Sequence, residues 1–278
     1  MIPAAFRRVP TRLWRGTYED GERAVAEETP VALSYNRLTH AVMMATPTDL
    51  EDFAVGFSLS EGIVSRADQI EELDVIAAEN GIELRMWIGA ALLERLEERR
   101  RSLAGPTGCG LCGLESLAEA IRPPPAVGER LTVSAEEIQA AMGGMPELQM
   151  LNRQTRAVHA AAFWQRGRGI VALREDVGRH NALDKLSGAI ARLRLDGGAG
   201  MVVMTSRVSV ELVQKAAVIG APILVAVSAP TRLALQMAEH AGLTLVGIAR
   251  RDGFEVFTRP DRLRDNQPLQ SRRAALGT

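Results

Sequence analysis

The chain has 278 residues, 46% of them hydrophobic and 24% charged, with a formal net charge of −1. That composition describes a globular protein with a real core, and at ~150 residues per domain it admits one large domain or two ordinary ones. Met1 to Arg7 lack the apolar stretch of a secretory signal, no window approaches the ~20 apolar residues of a membrane span, and only two cysteines are present, which excludes a disulfide framework.

A reducing, cytoplasmic setting is therefore expected, with no membrane partner. Arg7, Arg8, Arg12 and Arg15 near one end and Arg262, Arg264, Arg272 and Arg273 near the other read as solvated tails, so no nucleic-acid partner is expected.

Residues 1–30 read as an extension. Val31 to Tyr35 and Ala41 to Ala45 are strand candidates around an Asn36-Arg37-Leu38 turn. Thr48 and Glu51 have capping-box spacing, with Leu50, Phe53, Ala54 and Phe57 following at helical spacing and Gly62 ending the helix. Ile70 to Ala77 and Ile82 to Trp87 read as a hairpin over Glu79-Asn80-Gly81. A helix from Ala90 to Leu103 turns Leu92, Leu93 and Leu96 inward, and Leu114 to Ile121 reads as another, short helix. Three consecutive prolines, Pro123 to Pro125, predict a stiff connector over 123–133.

Beyond it, Ser134 and Glu137 form a second capping box, and Gly143-Gly144 is the expected stop of that helix. Strands at Val158 to Trp164, Gly169 to Leu173, Met201 to Thr205, Ile223 to Val227, Leu243 to Ala249 and Phe254 to Thr258 follow. They alternate with helices at Ala182 to Arg194, Val210 to Ile219 and Arg232 to Ala241. The alternation predicts an α/β layer with a mostly parallel sheet.

Chemistry concentrates in three places. Both cysteines lie in Thr107-Gly108-Cys109-Gly110-Leu111-Cys112-Gly113. Glycines leave the sulfurs approachable, and a following helix start stabilises thiolate, drawing a Cys pKa from ~8.5 toward ~3.5–7.5. Thiol–disulfide exchange, half of a zinc site and persulfide transfer all suit such a pair. Zinc needs two more ligands, and His40, His159, His180 and His240 lack finger-like spacing, so no metal site is assigned. A thioredoxin-like enzyme would carry its pair after the first strand of a compact βαβ unit, and this pair precedes a proline linker.

The second place is Arg174-Glu175-Asp176-Val177-Gly178-Arg179-His180-Asn181, a polar turn where Asn181 is placed to cap a helix. It fits a ligand site or a structural knot. The third is a set of strand ends: Thr205-Ser206-Arg207, Ser228-Ala229-Pro230-Thr231 and Arg250-Arg251. Carboxyl ends of neighbouring strands suit an anion such as phosphate, and no Gly-x-Gly-x-x-Gly or Walker loop competes for that role.

These segments together resemble the FdhD family of formate dehydrogenase accessory sulfurtransferases. The resemblance rests on Thr107 to Gly113, Arg174 to Lys185, Thr205 to Lys215, Ser228 to Thr231 and Leu243 to Gly247, with Thr46-Pro47 and Glu61-Gly62 upstream. It implies a carrier that takes sulfur from a cysteine desulfurase as a persulfide on Cys109, with Cys112 as the second cysteine. The sulfur then passes to the molybdenum bis-guanine-dinucleotide cofactor before that cofactor enters formate dehydrogenase. The resemblance places the cofactor on Ile248, Ala249, Arg250, Arg251, Asp252 and Gly253, where many relatives are richer in glycine, and it implies a homodimer.

The fold so implied is of two parts: an N-terminal α+β domain over 31–122 carrying the Cys-x-x-Cys loop, and a cytidine-deaminase-like α/β layer over 134–260, with a tail over 261–278. Deamination itself is not expected, because His159 is followed by Ala160 and Ala161 rather than by the His-x-Glu of zinc deaminases.

Overall fold

The computed structural model describes residues 1–103 and 123–264. The first thirty residues contain an antiparallel ribbon, β1 (Phe6–Trp14) paired with β2 (Tyr18–Ala26), running from Phe6 opposite Ala26 to Trp14 opposite Tyr18. Only Ala24 of the ribbon is buried. No core-facing periodicity therefore announces these strands in the sequence.

Strands β3 (Thr29–Tyr35), β4 (Leu38–Ala45), β5 (Ile70–Ala78) and β6 (Gly81–Ile88) form a sheet in the order β4-β3-β6-β5. It is antiparallel except at its central β3–β6 pair. Helices α1 (Leu50–Ser60) and α2 (Ala90–Leu103) bury Phe53, Phe57 and Leu96 with Val31, Leu33, Tyr35, Leu84 and Met86. Full burial of each such side chain contributes roughly 1.5–3 kcal/mol.

The Thr48–Glu51 capping box does not form. Asp49 is the N-cap, in the left-handed region at φ 50°, and Glu51 instead reaches Arg192 at 2.9 Å. A distant ion pair has taken the side chain that local spacing assigned to the cap.

The proline connector is docked rather than free. The Val127 amide donates to Ala241 O at 2.9 Å, and its side chain is buried in the second core. Strand β7 (Val133–Ser134) then leads into α3 (Ala135–Leu148), where the Ser134–Glu137 capping box is formed. This helix runs through Gly143-Gly144 and Pro146, and its expected stop is corrected. Ile138, Ala141 and Met145 lie on one face, buried against the sheet, and that packing outweighs glycine's low propensity. A short helix, α4 (Met150–Thr155), follows.

The remaining elements are β8 (His159–Gln165), β9 (Gly169–Asp176), α5 (Arg179–Arg192), β10 (Gly200–Met204), α6 (Val210–Ile219), β11 (Ile223–Ala226), α7 (Arg232–Ala241), β12 (Thr244–Arg250) and β13 (Gly253–Val256), with β14 (Leu263–Arg264) beside β7. The large sheet has the order β13-β12-β11-β10-β8-β9. It is mixed, not mostly parallel: β10, β11 and β12 are parallel neighbours, and the outer pairings are antiparallel. Strands β8 and β9 form a hairpin without a crossover helix, which forces them antiparallel.

Alternate residues of the sheet face two layers. Phe163, Val202, Met204, Leu224 and Leu245 meet α5, α6 and α7, whereas Ala162, Met201, Val203 and Val225 meet α3. Helices α1 and α5 join this layer to the N-terminal core at glycine contacts. A Cβ on Gly56 would collide with the Asp184 carbonyl, and one on Gly188 with the Asp52 carbonyl. Among the described residues no helix is long and apolar enough to cross a membrane.

Candidate functional site

The three parallel strands end side by side. Val208 bridges Pro230, the Thr231 amide donates to Val208 O at 3.0 Å, and the Ile248 amide donates to Ser228 O at 3.3 Å. A bulge between Gly247 and Arg250 interrupts the last residues of β12, with Ile248 in the left-handed region at φ 52°. Arg250 then pairs with Gly253 across the turn. Of the six residues expected here, Arg250, Arg251 and Asp252 are exposed, Ile248 and Gly253 are half-buried, and Ala249 is buried in the core. Ala249 offers a ligand no more than backbone. Neither arginine side chain is engaged by another described residue, and Arg207 is exposed on the same edge.

Two hydroxyls expected at this edge serve the fold. Thr205 Oγ1 accepts the Ala160 amide at 2.9 Å, and Thr231 Oγ1 accepts the Ala234 amide as the cap of α7. Ser209 is the N-cap residue of α6 without a side-chain cap bond, and its hydroxyl lies 3.4 Å from His180 Nε2.

The Arg174–Asn181 turn is largely a buried clamp. The Asp176 carboxylate accepts from the Thr46 amide at 3.0 Å, Asn181 Nδ2 at 3.0 Å and the Gly178 amide at 2.8 Å, and pairs with Lys185 Nζ at 2.6 Å. Burial pulls the Lys185 ammonium below the usual lysine range, and the adjacent Asp176 charge opposes that pull. Glu175 accepts the Leu151 and Asn152 amides at 2.8 Å each. Burial raises its carboxyl above the usual range, and those two donors work in the opposite direction. Arg174 reaches Asp52 at 2.7 Å, as does Arg192 at 2.6 Å.

Asn181 is not a cap. The N-cap of α5 is Gly178, and Asn181 lies inside the helix, donating to Met44 O at 2.8 Å. Only Arg179 and His180 of this turn remain for other work. Arg179 Nε is buried without a hydrogen-bond partner. Burial first, and the Arg179 charge second, hold His159 and His180 below the ordinary histidine range.

His180 also lines a cavity of about 310 Å³ between the two cores, with Ser60, Glu61, Arg99, Asp184 and Lys215. Lys215 Nζ donates to both Asp184 oxygens, at 2.7 and 2.8 Å, and lies 3.9 Å from Glu61. Ser60 Oγ is buried without a partner. Arg99 Nη1 donates to Glu61 O at 2.8 Å from α2, the helix that leads toward the cysteine segment. Cys109 and Cys112, and the short helix expected at Leu114 to Ile121, lie outside the described residues. Glu211 also lines this cavity, and its i, i+4 spacing from Lys215, which puts both on one helix face, is the sequence signal that points to it. Nothing local showed that Ser60 and Glu61, about 150 positions earlier, would complete it. Among the described residues, no group of three or more His, Cys, Asp or Glu is arranged to hold a metal ion.

Comparison with known proteins is consistent over most of the chain. Residues 26–264 match the FdhD/NarQ family. The chain is 50% identical over 264 residues to "Sulfur carrier protein FdhD" of Agrobacterium fabrum, covering 94% of this chain and 97% of that one. It is 52% identical over 246 residues to the protein of the same name from Cupriavidus necator, covering 88% and 85%. A crystal structure assigned as a formate dehydrogenase accessory protein from Desulfotalea psychrophila superposes with a TM-score of 0.73 at 27% identity, covering 94% of this chain and all of the other.

Proposed function

The chain belongs to the FdhD/NarQ family, and from that premise we propose that it is a sulfur carrier required for formate dehydrogenase activity. The observation that carries this reading is identity of about half the residues, over nearly the full length, to proteins named sulfur carriers. In the cytoplasm, a cysteine desulfurase supplies the sulfur. The Cys109 thiolate attacks the outer sulfur of the desulfurase persulfide, the S–S bond breaks, and the desulfurase leaves as a thiolate. No net oxidation occurs, and the new persulfide resides on Cys109. Such exchange requires an accessible thiolate, which a glycine-flanked segment supports.

The acceptor is the molybdenum bis-guanine-dinucleotide cofactor, a substrate on its way to formate dehydrogenase. Arg250 and Arg251, exposed beside the carboxyl ends of three parallel strands, supply charge suited to its phosphates. The backbone of Ile248 to Gly253 lines the same edge. Residues 134–260 act in this reading as a cytidine-deaminase-like cofactor-binding part without deaminase machinery, and two copies form the working unit. Cys112 assists Cys109.

The test is mass spectrometry after incubation with a cysteine desulfurase and cysteine. One added sulfur atom is expected on the wild type and Cys112→Ala, and none on Cys109→Ala. Persistence of the added sulfur in Cys109→Ala would overturn the assignment. Equal loss in both single variants would instead point to a disulfide-exchange enzyme.

A further inference from the structure

The β1–β2 ribbon is tied to its own body by Arg23 Nη2 donating to Thr155 O at 3.3 Å, and at its base the Glu27 amide extends the ladder by donating to Ala5 O at 2.8 Å. Beyond that base it is a single two-stranded layer, an arrangement only marginally stable in water unless something covers it. Its tip presents Leu13 at 42%, Trp14 at 64% and Tyr18 at 65% exposure. Large aromatic side chains in that position are the usual anchors of protein interfaces.

At the base of the same ribbon is a hollow of about 420 Å³ lined by Phe6, Leu148, Met150, Leu151 and Leu173. Leu148 and Met150 at its rim are 46% and 64% exposed. A nine-residue strand spans roughly 30 Å, so the tip of a ribbon cannot fill the hollow at its own base.

We propose that the ribbon is an arm that clasps a second copy of this chain, with each Trp14 tip seated in the hollow at the base of the other copy's ribbon. The proposal rests on the homodimer reading and says where the two copies meet. Two ribbons side by side in opposite directions place each tip at the other's base, so one two-fold axis satisfies both seats and the contact closes. The charges agree with self-association. β1 carries Arg7, Arg8 and Arg12, and β2 carries Glu19, Asp20 and Glu22 besides the Arg23 that holds Thr155, so each ribbon presents both signs to its copy. Pro10 lacks an amide hydrogen on β1, which hinders an open-ended ladder of strands and favours contact through side chains.

The test is the oligomeric state of the full chain by light scattering and sedimentation, for wild type, Trp14→Glu, Met150→Glu and an equal mixture of the two variants. Wild type should be a dimer, and each variant should dimerise at least about tenfold more weakly. The mixture should recover dimers, because a mixed pair keeps one intact tip and one intact hollow. That recovery also reports that both variants are folded. Variants that dimerise like wild type, or a mixture without recovery, would overturn the ribbon as the meeting surface while a wild-type dimer still stood. A monomeric wild type would remove the homodimer reading along with it.

Discussion

His159 and His180 stand out among the titratable residues because each is pushed toward its neutral form by burial and by the Arg179 guanidinium. In the unfolded chain both imidazoles return to an ordinary pKa near ~6.5. Below that pH the unfolded state binds protons that the folded state resists, so their contribution is complete above about pH 6.5 and is lost as pH falls. Melting temperature should therefore drop between about pH 7.5 and 5.5, and His159→Gln/His180→Gln should reduce the drop by on the order of 2–4 °C. An unchanged pH profile in the double variant would refute this account. The polar character of the Arg174–Asn181 turn was plain in the sequence, but its division of labour was not. Asp176 and Asn181 are recruited by Thr46 and Met44, about 130 positions away, and only Arg179 and His180 are left facing the site.

Helices α1 and α5 approach more closely than ordinary side chains allow, and Gly56 and Gly188 are what permit it. Alanine at either position must drive backbone against backbone, and we expect a loss of about 3 kcal/mol or more in urea unfolding. Gly143, in α3, has open space where a Cβ would project. There alanine should stabilise by about 0.5–1 kcal/mol, since only the helix propensity changes. Similar effects at Gly56 and Gly143 would contradict this assignment. Helix and strand positions were largely legible from periodicity, including α2, α6 and α7. The misplaced boundaries at α1, α3 and α5 share one cause: a tertiary contact outweighed a local cap or breaker.

At the scale of the molecule, two cores are held as one body by α1 against α5, by Arg174 and Arg192 on Asp52, and by Asp176 on Thr46. Asp52 is buried beneath both guanidinium groups, so separating the parts would strand its charge, and neither part should open while the other stays folded. Trp87 lies on β6 in the N-terminal sheet and Trp164 on β8 in the large sheet. Variants in which Trp87 or Trp164 is the sole tryptophan, with Trp14 also replaced, should unfold with coincident midpoints in thermal melts followed by fluorescence. Midpoints separated by several degrees would show that the cores behave as independent domains.

Local pattern alone reveals the class of protein, the order of most elements, the glycine-flanked cysteine pair and the basic strand end at Arg250 and Arg251. These features are set by composition and by neighbours within a few residues. Long-range packing sets the rest: the large sheet is mixed, Asn181 and Thr205 serve the fold, Ser60 and Glu61 share a cavity with Lys215, and the first strands stand out as a ribbon. Each of these depends on side chains or strands far apart in sequence, and no local pattern encodes which distant partner will claim a given polar group.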